Sequence, residues 1–417
     1  MGLPMRLQKR WGIAAAGVVM QMALGAVYAW SVFRIPLTRA FGWSISQVTL
    51  TFTIAIFVLG LAAFGGGLWM RRVGPRTVAL TAGVLYGLGV FLASFTDGRL
   101  WWLYGSYGVI AGVGLGLGYI VPVATLVKWF PDKRGLITGL AVAGFGAGAL
   151  ITAPIATRLI ASVGVLRTFA ILGIAYFVAV TGGALFMENP PPSGPDLDFR
   201  TPTTGGENRD LTPRSYTLAD ALRSWQWYGL WTLLLLNTTA GIAVISQAAP
   251  MFQEITSISA ARAASIVGVI SIANGAGRLL WAWLSDLVGR RTVFLAMFLL
   301  QAVIFWLLPS AHGLTVFSAL TVVVLLCYGG GFGTMPAFAA DYFGAEHVGS
   351  IYGLMLTAWG VAGVLGPTLI AAMRERSGGY DEGLRLIAGL MLVSAIIPLL
   401  VKPPVVKSPP LVGSAGL

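Results

Sequence analysis

Arg278 stands alone inside an apolar stretch, Ala260 to Arg291, that is long enough to cross a lipid bilayer. An isolated cation at the centre of the hydrocarbon core costs at least ~2.5 to 3.5 kcal/mol, so the arginine demands a partner. It lies eight residues before Asp286, which starts the segment DLVGRR. At about 1.5 Å per residue that is roughly 12 Å in, near the middle of a core about 30 Å thick. The nearby carboxylates of other segments, Asp97, Asp132, Glu188, Glu254, Asp341, Glu346, Asp381 and Glu382, all fall at the ends of apolar runs or in loops. With no resident anion, the guanidinium is either held by backbone carbonyls and water or receives its anion from outside. The second reading is favoured, because a guanidinium stays charged at physiological pH and its planar fork matches a carboxylate in bidentate geometry. The chemistry points to a small organic acid.

Other polar and aromatic groups share that depth. Asn274 precedes Arg278 by one helical turn and shares its face, while Gly275 and Gly277 thin the adjacent surfaces. Asn274 serves equally well as a ligand contact or as a group that satisfies backbone across helices. Tyr119 sits in GVGLGLGYIVP, where alternate glycines and Pro122 imply close packing and a kink. A tyrosine at that depth needs a hydrogen-bond partner, which a bound carboxylate supplies. Tyr28 and Tyr328 are similar candidates, though each taken singly is more often a packing residue. Phe145 and Trp359 are the bulky exceptions in two small-residue stretches, GFGAGALITAP and WGVAGVLGP, and are candidates to wall or cover a pocket.

These residues need a membrane scaffold. The 417 residues are 57% hydrophobic and only 10% charged, with mean hydropathy +0.82, a balance that describes a polytopic membrane protein. The net charge of +12 sits in short loops between apolar runs, where it sets orientation, so nucleic-acid binding is excluded. Cys327 is the single cysteine and lies in an apolar run; there is no disulfide framework, and no metal or cofactor spacing. His312 and His347 fall in loops and are expected to be solvated. Arg6, Lys9 and Arg10 precede an apolar stretch too long for a signal peptide and lacking a clear cleavage site, so it reads as a retained first span.

Apolar runs of about 18 to 25 residues predict twelve transmembrane helices, near 12–33, 45–70, 77–96, 103–128, 136–158, 168–187, 227–252, 260–285, 292–310, 315–340, 350–373 and 384–401. Seventeen of the 27 Lys and Arg residues fall on the side of the N-terminus and nine on the other, with Arg278 the remaining one. The positive-inside rule then places both termini in the cytoplasm. The longest loop, 188–225, is polar and Gly/Pro-rich and reads as a cytoplasmic linker between an N-terminal six-helix bundle (1–187) and a C-terminal one (226–402). Its end, LADALRSWQW, is compatible with a short helix on the membrane surface or with a plain loop. Residues 403–417 form a Pro/Ser/Gly-rich tail read as disordered, with no function assigned. The halves repeat: Gly67, Gly74 and Arg76 match Ala282, Gly289 and Arg291 at an offset of 215, and Pro122, Gly135 and Gly139 match Pro336, Gly349 and Gly353 at 214. Such a repeat predicts two parallel bundles with a midplane site between them.

The repeated loop resembles the signature of the major facilitator superfamily. The second copy, from Asp286 through Gly289, Arg290 and Arg291, fits it well, whereas the first has Arg71 where the pattern has an aspartate. Asp286, Arg290, Arg71 and Arg72 are accordingly the candidate gate. Within the superfamily, GAVYAWSVF, KWFPDKRGLITGL and NGAGRLLWAWLSD are similar to the oxalate:formate antiporter and bacterial monocarboxylate transporter branch. The resemblance implies the major facilitator fold. It also makes Arg278 the substrate-carboxylate arginine of the eighth helix and sets Tyr28, Tyr119, Tyr328 and Phe332 around the cavity. Trp359 occupies the place of a lysine in the oxalate carrier, Tyr28 that of a lysine in animal monocarboxylate transporters, and Asn274 that of their aspartate.

Charge counting narrows the substrate independently. A dianion facing one arginine would leave its second carboxylate without a countercharge in low dielectric, at several kcal/mol. A small monocarboxylate of the lactate, pyruvate or formate kind is therefore expected over a dicarboxylate. It would be carried by alternating access in a plasma-membrane monomer. The resemblance implies proton-linked symport, with exchange of two anions as the alternative coupling. The rivals are drug efflux, which predicts indifference to Arg278, and a nontransporting sensor, which binds without flux. An enzyme needs convergent acid, base or metal groups that the sequence does not contain.

Overall fold

A computed structural model describes residues 3–191 and 215–404. Most of the predicted linker and the tail beyond 404 lie outside the described residues. Among the described residues the chain is helical throughout and crosses the membrane-spanning distance twelve times. Ten segments are long and apolar enough by composition; one of them, Gln47–Phe95, contains two passages, and Ala260–Val288 supplies the twelfth. The passages are α1 (Lys9–Phe41), α2 and α3 (the halves of Ile45–Leu92 either side of Gly74), α4 (Leu100–Trp129), α5 (Arg134–Val163) and α6 (Val165–Ala184). They continue with α7 (Trp225–Thr256), α8 (Ala260–Val288), α9 (Arg290–Leu307), α10 (Leu314–Phe343), α11 (Val348–Ser377) and α12 (Asp381–Leu400).

The sequence repeat reappears as backbone geometry. Gly74 (φ 80°) and Gly289 (φ 91°) make the same break after α2 and α8, a conformation that favours glycine because it has no Cβ. One step earlier Gly42 (φ 69°) ends α1 and Ser257 (φ 54°) ends α7, again 215 residues apart, so the second half performs the turn without glycine. The two six-helix bundles are thus copies of one design.

Several features depart from uniform helices. α1 tightens to a 3₁₀ segment over Gly25–Trp30, and α4 widens to a π-helix over Tyr104–Ala111. At the first of these, a Cβ on Gly25 would lie only 1.7 Å from the carbonyl oxygen of Phe145, so α1 and α5 touch backbone to backbone there. Of the two readings left open for the stretch before α7, the structure shows a short helix over Leu218–Leu222, capped by Thr217, and the preceding Tyr216 amide donates to the carbonyl of Phe343 at the end of α10 (2.9 Å). His347, expected to be solvated, is instead 7% exposed, because the loop before α11 packs under α2 rather than projecting into solvent. His312 is exposed as expected.

Both ends of the described chain reach one face, called here the terminal face. Lys9 pairs with Glu188, Arg10 with Asp132 (3.2 Å), and the Arg291 guanidinium donates to the carbonyl of Pro398 (2.7 Å). The bundles are locked together on this face. Asp286 accepts the amides of Gly135 (2.9 Å) and Leu136 (2.7 Å) at the start of α5 and pairs with Arg290 (2.7 Å). Asp341 joins Arg290 (3.0 Å) to Arg134 of the opposite bundle (2.8 Å). A Cβ on Gly135 would fall 2.2 Å from the carbonyl oxygen of Ala282, so the contact is closed to any larger residue.

Candidate functional site

Arg278 projects from α8 between the bundles and is 1% exposed. Backbone contact sets its helix in place: Cβ atoms on Gly277 and Gly329 would lie 2.1 Å and 1.9 Å from carbonyl oxygens of Leu326 and Asn274, so α8 and α10 are pressed together by glycine. Gly333 of α10 and Gly139 of α5 both abut the carbonyl of Arg278 itself. The side chain reaches the first bundle, where Nη1 donates to the carbonyl of Val142 on α5 (3.3 Å).

The rest of the guanidinium is unsatisfied. Nε and Nη2 are buried and have no hydrogen-bond partner, and among the described residues no carboxylate pairs with the group. Nε and Nη2 form one edge of the planar fork, with two parallel N–H groups, the arrangement that takes a carboxylate through both oxygens. Gly146 of α5 lies against this edge; a Cβ there would come within 3.6 Å of Nε and 3.1 Å of the Cα of Gly275.

Aromatic rings enclose the cation. Phe332 presents its ring to the guanidinium carbon at 5.2 Å, within reach of a cation–π attraction. Tyr28 and Tyr119 both meet Phe145 edge-on, at 5.3 and 5.2 Å between centroids. Trp359 meets Phe332 at 5.1 Å and Tyr28 at 6.3 Å, and Tyr328 packs on Phe332 at 5.4 Å. The Tyr28 hydroxyl neighbours Arg278 yet has no partner in hydrogen-bond geometry. The structure therefore gathers Arg278, Tyr28, Tyr119, Phe145, Tyr328, Phe332 and Trp359 into one cluster. Asn274, one turn along α8, leaves its Oδ1 buried and unpartnered.

Of the candidate gate, Asp286 and Arg290 sit in the terminal-face lock, whereas Arg71 and Arg72 are exposed and form no ion pair among the described residues. Sequence reasoning missed Tyr352, whose hydroxyl is 3.4 Å from that of Tyr119 across the bundle interface. A tyrosine four residues into an apolar span was the available signal. It also missed the buried amides Asn237 and Gln301, joined at 2.9 Å, with Asn237 donating to the carbonyls of Cys327 and Tyr328 (3.2 and 3.3 Å). That network braces the stretch of α10 that carries Tyr328.

Comparison with known proteins agrees with this architecture. The chain is 26% identical over 375 residues to the oxalate:formate antiporter of Oxalobacter formigenes, covering 89% of this chain and 87% of that one. It is 26% identical over 386 residues to apicoplast pyruvate carrier 1 of Toxoplasma gondii, covering 78% and 69%. Its fold matches the solved structure of the E. coli fucose:proton symporter FucP with a TM-score of 0.71 at 15% identity, over 93% of this chain and 98% of that one. The family model of the Major Facilitator Superfamily matches residues 13–261 and 231–415, and the chain is a multi-pass membrane transporter of that superfamily.

Proposed function

We propose that the protein carries a small monocarboxylate across the plasma membrane by alternating access, with Arg278 binding the carboxylate. The observation that carries this reading is the free Nε/Nη2 edge of a fully buried arginine. One permanent cation with two parallel donors and no resident anion balances one carboxylate. The rings of Tyr28, Tyr119, Phe145, Tyr328, Phe332 and Trp359 suit the short apolar part of such a substrate, and the Tyr28 hydroxyl supplies a further donor. In this reading the bundles 1–187 and 226–402 rock about the site, with both termini in the cytoplasm as the loop charges indicate. The lock around Asp286 then corresponds to the state shut toward the cytoplasm. Drug efflux is disfavoured, since an apolar cation gains nothing from a buried guanidinium.

Proton-linked symport is the coupling that the family resemblance supports. Exchange of one anion for another is the second reading, favoured by the lack of any Asp, Glu or His in the Arg278 cluster among the described residues. Counterflow in proteoliposomes with labelled lactate, pyruvate, formate and oxalate, with and without an imposed pH gradient, tests both. Preference for oxalate over lactate and pyruvate would overturn the monocarboxylate assignment, and stimulation by the gradient separates symport from exchange.

A further inference from the structure

The terminal-face lock has a counterpart in the other half of the repeat, and there its central charge is reversed. In the second half, the Asp286 carboxylate receives the Gly135 and Leu136 amides at the start of α5. Moving back by the repeat offset, the position of Asp286 is Arg71 at the end of α2, and that of Gly135 is Gly349 at the start of α11. The helices again meet backbone to backbone, with the roles exchanged: a Cβ on Gly67 of α2 would lie 2.2 Å from the carbonyl oxygen of Gly349. The acceptor is not preserved. α11 begins with no side-chain cap on its first amides, and the residue at the matched position is a cation, Arg71.

A recess of about 270 Å³ opens at this place, lined by Arg71, Lys128, Asn189, Glu346, His347 and Gly349, among others. Its charges are two cations and one carboxylate beside the positive end of a helix. His347 is 7% exposed, and its Nδ1 is buried with no hydrogen-bond partner among the described residues. Lys128 donates to Asn189 (3.3 Å), while Glu346 is exposed and forms no ion pair with Arg71, Lys128 or His347. A buried histidine whose Nδ1 lacks a partner, two cations and an uncapped helix start line one opening, and these four suit a negatively charged oxygen.

We infer that this recess binds an oxyanion, a phosphate group in the first instance, which takes the place of the missing carboxylate and holds α2 to α11 in the closed state of the terminal face. Arg71 and Lys128 supply the countercharge, His347 Nδ1 a hydrogen bond, and the start of α11 the oriented amides. The ion is not cargo, because the recess lies at the rim and makes no contact with the Arg278 cluster. It biases the carrier between its two openings. A free ion and a lipid headgroup offer the same phosphate chemistry, and the two sources are separable by experiment.

The test is hydrogen–deuterium exchange of the purified full-length protein, read on peptides spanning residues 346–352. In detergent, sodium phosphate replaces sodium chloride at matched ionic strength; in a second arm, nanodiscs of phosphatidylglycerol replace those of phosphatidylcholine in chloride. Exchange at the start of α11 is expected to slow about tenfold with phosphate or with phosphatidylglycerol, the responding arm naming the source. Arg71→Ala should abolish the response, and as an exposed residue its loss leaves the fold intact. Arg71→Asp restores a carboxylate and should give slow exchange without either anion. No slowing in both arms, an unchanged response in Arg71→Ala, or wild-type exchange in Arg71→Asp would each overturn the inference. None of these readouts depends on transport or on the role of Arg278.

Discussion

Replacing Arg278 by lysine keeps the charge and removes the fork, which makes it the sharpest test of the proposed site. The ammonium is a point charge that cannot present two parallel N–H groups to one carboxylate. A hydrogen bond to a charged group contributes about 1.5 to 3 kcal/mol, and one of the two substrate bonds is lost. The bond from Nη1 to the Val142 carbonyl goes with it, but that bond is made without substrate and bears on stability rather than affinity. The lost substrate bond alone corresponds to a loss of affinity on the order of tenfold to a hundredfold. Counterflow of labelled lactate, pyruvate or formate at low substrate concentration should fall at least about tenfold. Thermal unfolding and gel filtration in detergent establish that the variant is folded. A folded Arg278→Lys protein with near-normal counterflow would refute the reasoning and assign the arginine a structural role.

Tyr28→Phe should leave the melting temperature of the substrate-free protein unchanged or raised, because the hydroxyl it removes is buried without a partner, while substrate affinity drops about tenfold; a melting loss with unaltered affinity would contradict this. Gly135→Val places a side chain where the Ala282 carbonyl oxygen stands 2.2 Å from a Cβ, so the terminal face should fail to shut. Transport should be lost and exchange at the Gly135 and Leu136 amides should accelerate; retained transport would show that this contact is not part of the cycle. Ser257→Gly relieves a left-handed backbone at the end of α7 and should stabilise the protein by about 0.5 to 1 kcal/mol, visible as a small rise in melting temperature.

Much of this was legible in the sequence, for a physical reason. A bilayer admits few structures, so apolar run length alone marks the spans, and an unpaired cation within one marks the site. The depth of Arg278 and the repeat that carries Gly74 and Gly289 could be read from spacing. The contacts that convert spacing into geometry could not. Gly25 against the Phe145 carbonyl, or Gly135 against Ala282, depends on which helices meet, and one sequence does not state its own helix neighbours. Tyr352 escaped notice because a buried tyrosine near a helix end looks like any packing residue until Tyr119 is seen opposite it. His347 was misjudged because loop position suggests exposure, and only the packing of α2 over α11 reveals otherwise.

The single bond from Arg278 to Val142 bears on how the carrier behaves with nothing to carry. It joins the cation of one bundle to the backbone of the other, so any rocking that parts them at that depth leaves the third nitrogen of the guanidinium bare as well. On the proposed function a loaded carrier would have a neutralised arginine, whereas an empty one would reorient with a naked charge. The cation would then act as a brake on futile cycling, and the return of the empty protein should be the slow limb of transport. Exchange driven by substrate on both sides should outpace net efflux into substrate-free buffer, a difference that the same proteoliposomes can measure.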